Sequence, residues 1–154
     1  MPVEIERKFL VADLSWKNES GSTLRQGYLS RDPVRIVRVR LADNAAWLTI
    51  KGISSGSTRA EFEYPIPRTD AAAMLALCDG PLLEKTRYRV EHRGHWWDID
   101  ELHGDNEGLI IAEVELQSET EHVELPPWIG REVTSDPRYF NSSLTANPYR
   151  GWKE

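Results

Sequence analysis

Acidic residues in this sequence occur in pairs two positions apart, within segments that alternate polar and apolar residues. The chain opens with such a pair, Glu4 and Glu6, followed by Lys8. In a β-strand, residues i and i+2 point to the same face and lie about 7 Å apart, so two carboxylates at this spacing repel each other. A compensating positive charge is therefore expected nearby. The same spacing recurs at Glu61 and Glu63, at Asp98 and Asp100, and at Glu113 and Glu115.

Basic residues follow the same alternation in other segments. Arg38 and Arg40 share one strand face, Lys85 and Arg87 share another, and Lys51 follows a third alternating run. An antiparallel sheet with one face in solvent also alternates polar and apolar residues, and for any single segment this is the simpler interpretation. A solvated face, however, usually mixes charges of both signs, whereas here whole segments are sorted by sign. The sorted charges favour a functional site.

The alternating runs predict eight β-strands joined by short turns. Their sequences are VEIERK, LRQGYLS, VRIVRVRL, AWLTIKG, RAEFEYPIP, LLEKTRYRVEH, WWDIDEL and IIAEVELQ. Gly27 is expected to bend or bulge the second strand. Eight antiparallel strands are enough to close a barrel, which would bring all the charged faces together in one interior.

Few helices are expected, and they should pack on the outside. The sequence predicts one helix from Thr69 or Asp70 to Gly80, a second from Asp136 to about Asn147, and a short helical turn within residues 13–19. The predicted fold class is therefore mainly β: an eight-stranded antiparallel barrel with a charged interior and a few outer helices. A chain of 154 residues favours a single domain, residues 1–154.

Composition narrows the classes of function. With 40% hydrophobic and 29% charged residues, the chain has the composition of a folded globular protein. Its net charge of −6 argues against broad nucleic-acid binding. Cys78 is the only cysteine, so no disulfide can form within the chain, and no Cys/His cluster has zinc-site spacing. No signal peptide or membrane-length apolar run is visible, so we expect a cytoplasmic protein without membrane partners.

The N-terminal motif E-I-E-R-K-F-L resembles the ExExK signature of the CYTH family, the triphosphate tunnel metalloenzymes. The similarity continues through LRQGYL, VRVR, TIKG, EFEYPI, EKTRY, the D-x-D strand and AEVEL, and it ends at V-T-x-D-x-R-Y-x-N, residues 133–141. The order and spacing of so many motifs make the resemblance specific. It implies an eight-stranded antiparallel tunnel that binds a triphosphate through its bases and a divalent metal through its acids.

The resemblance also implies roles for individual residues. Arginine matches phosphate oxygens with two parallel hydrogen bonds, and lysine acts as a point charge; the predicted substrate-binding residues are Lys8, Arg25, Arg38, Arg40, Lys51, Lys85 and Arg87. Carboxylates suit one or two Mg²⁺ or Mn²⁺ ions; the predicted ligands are Glu4, Glu6, Glu61, Glu63, Asp100, Glu113 and Glu115, with Asp98 as a further candidate. Catalytic roles are predicted for Glu4, Glu6, Lys8 and Lys85, and Tyr28 is a candidate to reach the tunnel interior.

The resemblance does not identify which triphosphate is the substrate, because the members of the family share their phosphate-binding residues. The chain is short, without a long insertion to form a base or thiamine pocket, so metal-dependent hydrolysis of inorganic triphosphate is the first hypothesis. Class IV adenylate cyclisation and hydrolysis of thiamine or nucleoside triphosphates are the alternatives among enzymes. A polyphosphate- or nucleotide-binding module without catalytic activity is the alternative from another class. We expect a monomer or a homodimer.

Overall fold

The computed structural model describes residues 2–152, which form nine strands and two α-helices. The strands are β1 (Val3–Val11), β2 (Ser22–Ser30), β3 (Ile36–Leu41), β4 (Ala46–Lys51), β5 (Thr58–Pro65), β6 (Leu83–His92), β7 (His95–Leu102), β8 (Ile110–Glu115) and β9 (Ile129–Glu132). The helices are α1 (Arg68–Leu75) and α2 (Asn141–Ala146), and short 3₁₀ turns lie at Gly104–Asn106, Pro137–Tyr139 and Tyr149–Gly151.

Eight of the strands close into an antiparallel barrel. Their order is β5-β4-β3-β2-β6-β7-β8-β1, and pairing of β1 with β5 closes the ring. Strand β1 makes this closure possible because its second edge is divided between two partners. Its first residues, Val3–Ile5, pair with β5, whereas Phe9 and Val11 pair with β9. The predicted barrel is confirmed, and β9 is an additional strand outside it.

Strand alternation places apolar side chains on the outer surface of the barrel, which is the reverse of a small barrel with an apolar interior. One outer core packs Phe9, Trp97, Ile99 and Val114 beneath Trp128. A second lies under α1, where Ala71 and Leu75 contact Val39 and Ala46. Because these two cores bury the apolar face of the sheet, the charged face is left to line the interior.

One end of the barrel interior is apolar and is closed by residues 133–152, which we call the C-terminal segment. Leu83, Leu102 and Ile111 face inward, since each lies two residues from an inward-facing charged residue. They pack against Val133, Tyr139 and Leu144 of the C-terminal segment. The segment therefore plugs this end of the barrel and meets the charged region just inside it.

The helices differ in detail from the prediction. The first helix spans Arg68–Leu75, shorter than expected. The second prediction is only partly correct: a 3₁₀ turn at Pro137–Tyr139 is separated from α2 by Phe140, whose backbone is extended with φ −69° and ψ 135°. Residues 13–19 form turns and no helix. Within residues 2–152, no helix has the length and apolar character needed to cross a membrane.

Candidate active site

The interior of the barrel encloses a cavity of about 190 Å³ lined almost entirely by charged and polar side chains. On β1, Lys8 Nζ lies 2.9 Å from Glu6 Oε1 and 2.7 Å from Glu113 Oε2 on β8. Although burial disfavours its charged form, these two carboxylates raise the pKa of Lys8 above its usual value. Lys8 thus supplies the positive charge expected beside the first acidic pair.

The carboxyl groups around Lys8 still repel each other. Burial and the neighbouring Glu113 carboxylate raise the pKa of Glu6 to about 8, so that Glu6 holds a proton and shares it with Glu113. Burial also disfavours the charged form of Glu113, but Lys8 and the hydrogen bond from Glu6 hold its pKa well below the usual value. One lysine therefore does not neutralise both acids, and the site has room for more positive charge.

Lys51 on β4 plays the matching role on the other side of β1. Its Nζ lies 3.2 Å from Glu4 and 3.4 Å from Glu61 on β5. Burial and the Glu4 carboxylate raise the pKa of Glu61 to about 7, whereas Lys51 and a hydrogen bond from Glu61 outweigh burial and lower that of Glu4. This second cluster again holds two carboxyl groups against one ammonium group.

The arginines of β3 have few partners within the described residues. Arg40 makes no ion pair among residues 2–152, and its Nε donates to the Gln26 side chain at 3.0 Å. Burial, Arg38 and Arg87 together lower the pKa of Arg40 to about 9. Arg38 is 3.4 Å from Glu63, but its buried Nε has no hydrogen-bond partner in the described part of the chain. This part of the cavity therefore carries positive charge that a bound anion would neutralise.

Asp100 lies deep in the barrel. Both of its carboxylate oxygens receive hydrogen bonds from Arg87, at 2.8 and 2.9 Å, and Lys85 Nζ lies 2.8 Å from Oδ2. Burial opposes ionisation, but Arg87 and Lys85 lower the pKa of Asp100 to about 2. Asp100 is 1% exposed, both of its oxygens accept hydrogen bonds and it is not among the residues that line the cavity; its role as a metal ligand stays a prediction. It holds the two bases in place.

Arg25 lies outside the cavity. Its side chain is 48% exposed and lies 3.5 Å from Glu84 on the outer surface. Gln26 and Tyr28 occupy the inward positions of β2, so Arg25 faces away from the cavity, and the structure does not bring it to the other predicted substrate-binding residues. The other predicted residues do line the cavity: Glu4, Glu6, Lys8, Arg38, Arg40, Lys51, Glu61, Glu63, Lys85, Arg87, Glu113 and Glu115, together with Tyr28 and Asp98.

Several residues of the cavity wall were not predicted from the sequence. Arg59 precedes Glu61 by two positions on β5 and therefore faces inward, a signal that was present in the sequence. Behind the wall, buried Thr49 donates to Glu63 at 2.9 Å. The C-terminal segment contributes Phe140, Asn141 and Ser142; no strand pattern could have placed them there, since they are brought in by tertiary packing.

A larger and more apolar chamber of about 640 Å³ adjoins the charged cavity. The two share Ile36, Arg59, Phe140 and Ser142 as walls. At this boundary the Arg59 guanidinium lies 5.4 Å from the centre of the Phe140 ring. The expectation that a short chain forms no pocket beside the phosphate site is therefore not met.

Comparison with known proteins assigns the family. A family model described as the CYTH domain matches residues 2–149. The chain belongs to the CYTH domain family. An inorganic triphosphatase of Acetivibrio thermocellus is 47% identical over 156 residues, covering 100% of both chains. One from Nitrosomonas europaea is 37% identical over 145 residues, covering 92% of this chain and 95% of the relative.

A solved structure supports the CYTH fold. The crystal structure of an inorganic triphosphatase matches with a TM-score of 0.66 and 34% sequence identity, covering 92% of this chain and 96% of that chain. Membership of this family implies a divalent metal cofactor.

The donor set of the cavity fits such a cation. Hard divalent ions prefer carboxylate oxygens, and the raised pKa of Glu6, which follows from burial and the neighbouring Glu113 carboxylate, is consistent with a shortage of positive charge beside these acids. Among residues 2–152 no three acidic, histidine or cysteine side chains are gathered as a metal cluster. The Lys8 and Lys51 ammonium groups form ion pairs with carboxylates of both clusters.

Proposed function

We propose that this chain is a divalent-metal-dependent hydrolase that converts inorganic triphosphate to pyrophosphate and orthophosphate inside the barrel. The observation that supports it best is the position of Arg40, a buried guanidinium without a carboxylate partner among the described residues, in the same cavity as the incompletely neutralised acids of β1, β5 and β8. A triphosphate offers many negative oxygens to the bases. The names of the relatives agree with this proposal.

The residues of the cavity divide into two groups. Arg38, Arg40 and Arg87 are suited to bind phosphate oxygens with paired hydrogen bonds, and Lys8, Lys51 and Lys85 supply point charges. When water attacks the terminal phosphorus in line with the leaving pyrophosphate, these bases stabilise the charge on the phosphoryl oxygens. No covalent intermediate is required.

The proposed metal ligands are Glu4, Glu6, Glu61, Glu63, Glu113 and Glu115. A bound Mg²⁺ or Mn²⁺ ion supplies charge neutralisation on the phosphates and a more acidic attacking water. Asp98 is 36% exposed and ion-paired with Arg89 at 3.2 Å, so we assign it no role with the metal. The cytoplasmic location and the monomeric or homodimeric state stay predictions.

The adjoining chamber supports an organic triphosphate as the second candidate substrate. Apolar side chains such as Ile53 and Phe140 line a volume that lies within the range of small-molecule sites. A nucleoside or thiamine group attached to a phosphate in the charged cavity would enter this chamber. Inorganic triphosphate leaves it vacant and uses only the charged cavity.

A substrate panel tests the proposal. Tripolyphosphate, pyrophosphate, ATP and thiamine triphosphate are each incubated with the protein and Mg²⁺, Mn²⁺ or a chelator, and both orthophosphate and cyclic AMP are measured. We expect orthophosphate release from tripolyphosphate to have the highest kcat/KM and to stop in chelator. Dominant cyclic AMP would indicate an adenylate cyclase, and binding without any product would indicate a binding module.

A further inference from the structure

Asn141, the first residue of α2, connects the C-terminal segment to the basic wall of the cavity. Its Oδ1 accepts a hydrogen bond from Lys85 Nζ at 2.6 Å and another from Gln26 Nε2 at 3.1 Å. Gln26 is fully buried, and its Oε1 accepts from Arg40 Nε at 3.0 Å. A single amide oxygen thus links a lysine of β6 and, through Gln26, an arginine of β3.

The orientation of both amides follows from the chemistry of their partners. Lysine and arginine side chains only donate hydrogen bonds, so the atom facing Lys85 must be the oxygen of Asn141 and the atom facing Arg40 must be the oxygen of Gln26. The Gln26 amide nitrogen is then directed at Asn141 and at the Tyr28 hydroxyl, which lies 3.3 Å away. Each member of this chain fixes the next.

We propose that Asn141 is a positioning residue that holds Lys85 and Arg40 in the orientation needed to bind the triphosphate. An ammonium group has three donors. Asn141 and Asp100 engage Lys85 Nζ from two sides, at 2.6 and 2.8 Å, which directs its remaining donor capacity to the cavity. Gln26 engages Nε of Arg40 and leaves the two terminal nitrogens of the guanidinium for phosphate oxygens.

The inference rests on the proposed function and makes the C-terminal segment part of the binding site. Ordering Lys85 and Arg40 before substrate arrives avoids the loss of side-chain entropy on binding. Removal of the Asn141 side chain should therefore weaken substrate binding even though the bases themselves are unchanged.

Asn106 provides a matched control. It is also a buried asparagine, 5% exposed, that anchors the same segment: Oδ1 accepts from Tyr149 N at 2.9 Å and Nδ2 donates to Leu144 O at 3.5 Å. It contacts neither Lys85 nor Gln26. A merely structural role for Asn141 predicts that Asn141→Ala and Asn106→Ala have similar consequences.

The test compares steady-state kinetics of the full chain on tripolyphosphate, below the melting temperature of every variant. We expect Asn141→Ala to lower kcat/KM about tenfold or more, with a clear rise in KM, and Asn106→Ala to change it less than about twofold. If Asn141→Ala does not fold, Asn141→Ser replaces it, since its shorter side chain cannot reach both partners. Equal losses in the Asn141 and Asn106 variants would overturn the inference.

A double-mutant cycle with Lys85→Ala identifies the route of the effect. Because Asn141 acts in part through Lys85, its substitution should cost less in the Lys85→Ala background, whereas the effect of Asn106→Ala should be unchanged there. Full additivity of Asn141→Ala and Lys85→Ala would contradict the inference. If the unsubstituted protein hydrolysed no tripolyphosphate, the proposed function would fail on its own, and calorimetric affinities for tripolyphosphate would replace kcat/KM in the same comparison.

Discussion

Arg40 illustrates how the barrel interior differs from a stable protein core. A guanidinium buried beside Arg38 and Arg87, without a carboxylate partner among residues 2–152, has its pKa lowered to about 9. Such an arrangement destabilises the free protein, and an anion reverses the effect when it binds. An apolar residue would be more favourable for stability at this position, and the proposed function accounts for the arginine because a triphosphate would supply the missing negative charge.

Replacement of Arg40 by Ala should therefore weaken catalysis without destabilising the fold. Hydrogen bonds to charged groups contribute about 1.5–3 kcal/mol each, so we expect KM for tripolyphosphate to rise about tenfold or more. Arg25→Ala is the control, because it removes the same charge from the exposed outer surface. Similar kinetics for the two variants would mean that β3 does not bind substrate.

Glu6 gives the site a pH dependence that can be measured without substrate. The pKa of Glu6 is raised to about 8 and that of Glu61 to about 7, above the values near 4.5 of unfolded carboxyls. Between these limits the two carboxyls bind more protons in the folded than in the unfolded state, so they make the free energy of unfolding fall as pH rises. Lys85, whose pKa burial lowers to about 7, opposes this fall above about pH 7. The carboxyls with lowered pKa, such as Asp100, change the free energy of unfolding only at lower pH.

Glu6→Gln should reduce this decline, because glutamine stays neutral. Urea unfolding in chelator at pH 5.5, 6.5 and 7.5 measures the slope, and metal-dependent activity should be lost in the same variant. Glu132→Gln is the control: Glu132 pairs with Arg7 outside the barrel and its pKa is lowered, so its contribution lies below this range. If the unfolding free energy of Glu6→Gln fell with pH as steeply as that of the unsubstituted protein, the raised pKa of Glu6 beside Glu113 would be contradicted.

At the scale of elements, strand parity accounts for most of what the sequence could predict. Residues two apart share a face in every regular strand, and this rule placed the acids of β1, β5 and β8 and the bases of β3 and β6 in one interior. The outward position of Arg25 follows from the same rule. Arg25 and Tyr28 are three residues apart and cannot both face inward in a regular strand, and Tyr28 is the buried one.

The parts that the sequence did not predict depend on packing between distant elements. Gly27 was expected to bend or bulge β2, and the register of β2 against β3 does shift just after it, between Tyr28 and Ser30. The sequence did not reveal its second role: a Cβ at this position would lie 2.7 Å from Leu82 and 2.8 Å from the Cys78 sulfur, so the glycine allows the residues that follow α1 to approach the strand. Strand β9 is only four residues long and has no clear alternation. The alternation of side chains along a strand also cannot reveal that Arg87 donates hydrogen bonds to Asp100 or that Asn141 accepts one from Lys85.

At the scale of the whole molecule, closing the sheet converts separate charged faces into one electrostatic unit. Lys8 joins β1 to β8, Lys51 joins β4 to β1 and β5, and Arg87 lies 3.7 Å from both Asp98 and Glu113. The pair between Lys51 and Glu4 spans the seam at which β1 meets β5, so it depends on the closed barrel. The metal and the triphosphate should consequently affect the stability of the whole fold.

The final prediction is that triphosphate and divalent metal stabilise the protein synergistically. Metal alone should raise the melting temperature, because it neutralises the acids of β1, β5 and β8; a ligand that binds only the folded state adds about 2.7 kcal/mol at a hundredfold excess over Kd. Without metal, triphosphate meets these acids across a narrow cavity and should bind weakly. Each ligand must then strengthen the binding of the other by the same factor.

Thermal melts in chelator, in Ca²⁺, in triphosphate and in both ligands together, at matched ionic strength, measure this coupling. Ca²⁺ is chosen to limit hydrolysis during the melt. Shifts that are merely additive, or no larger than those produced by sodium chloride, would contradict a shared site in the barrel.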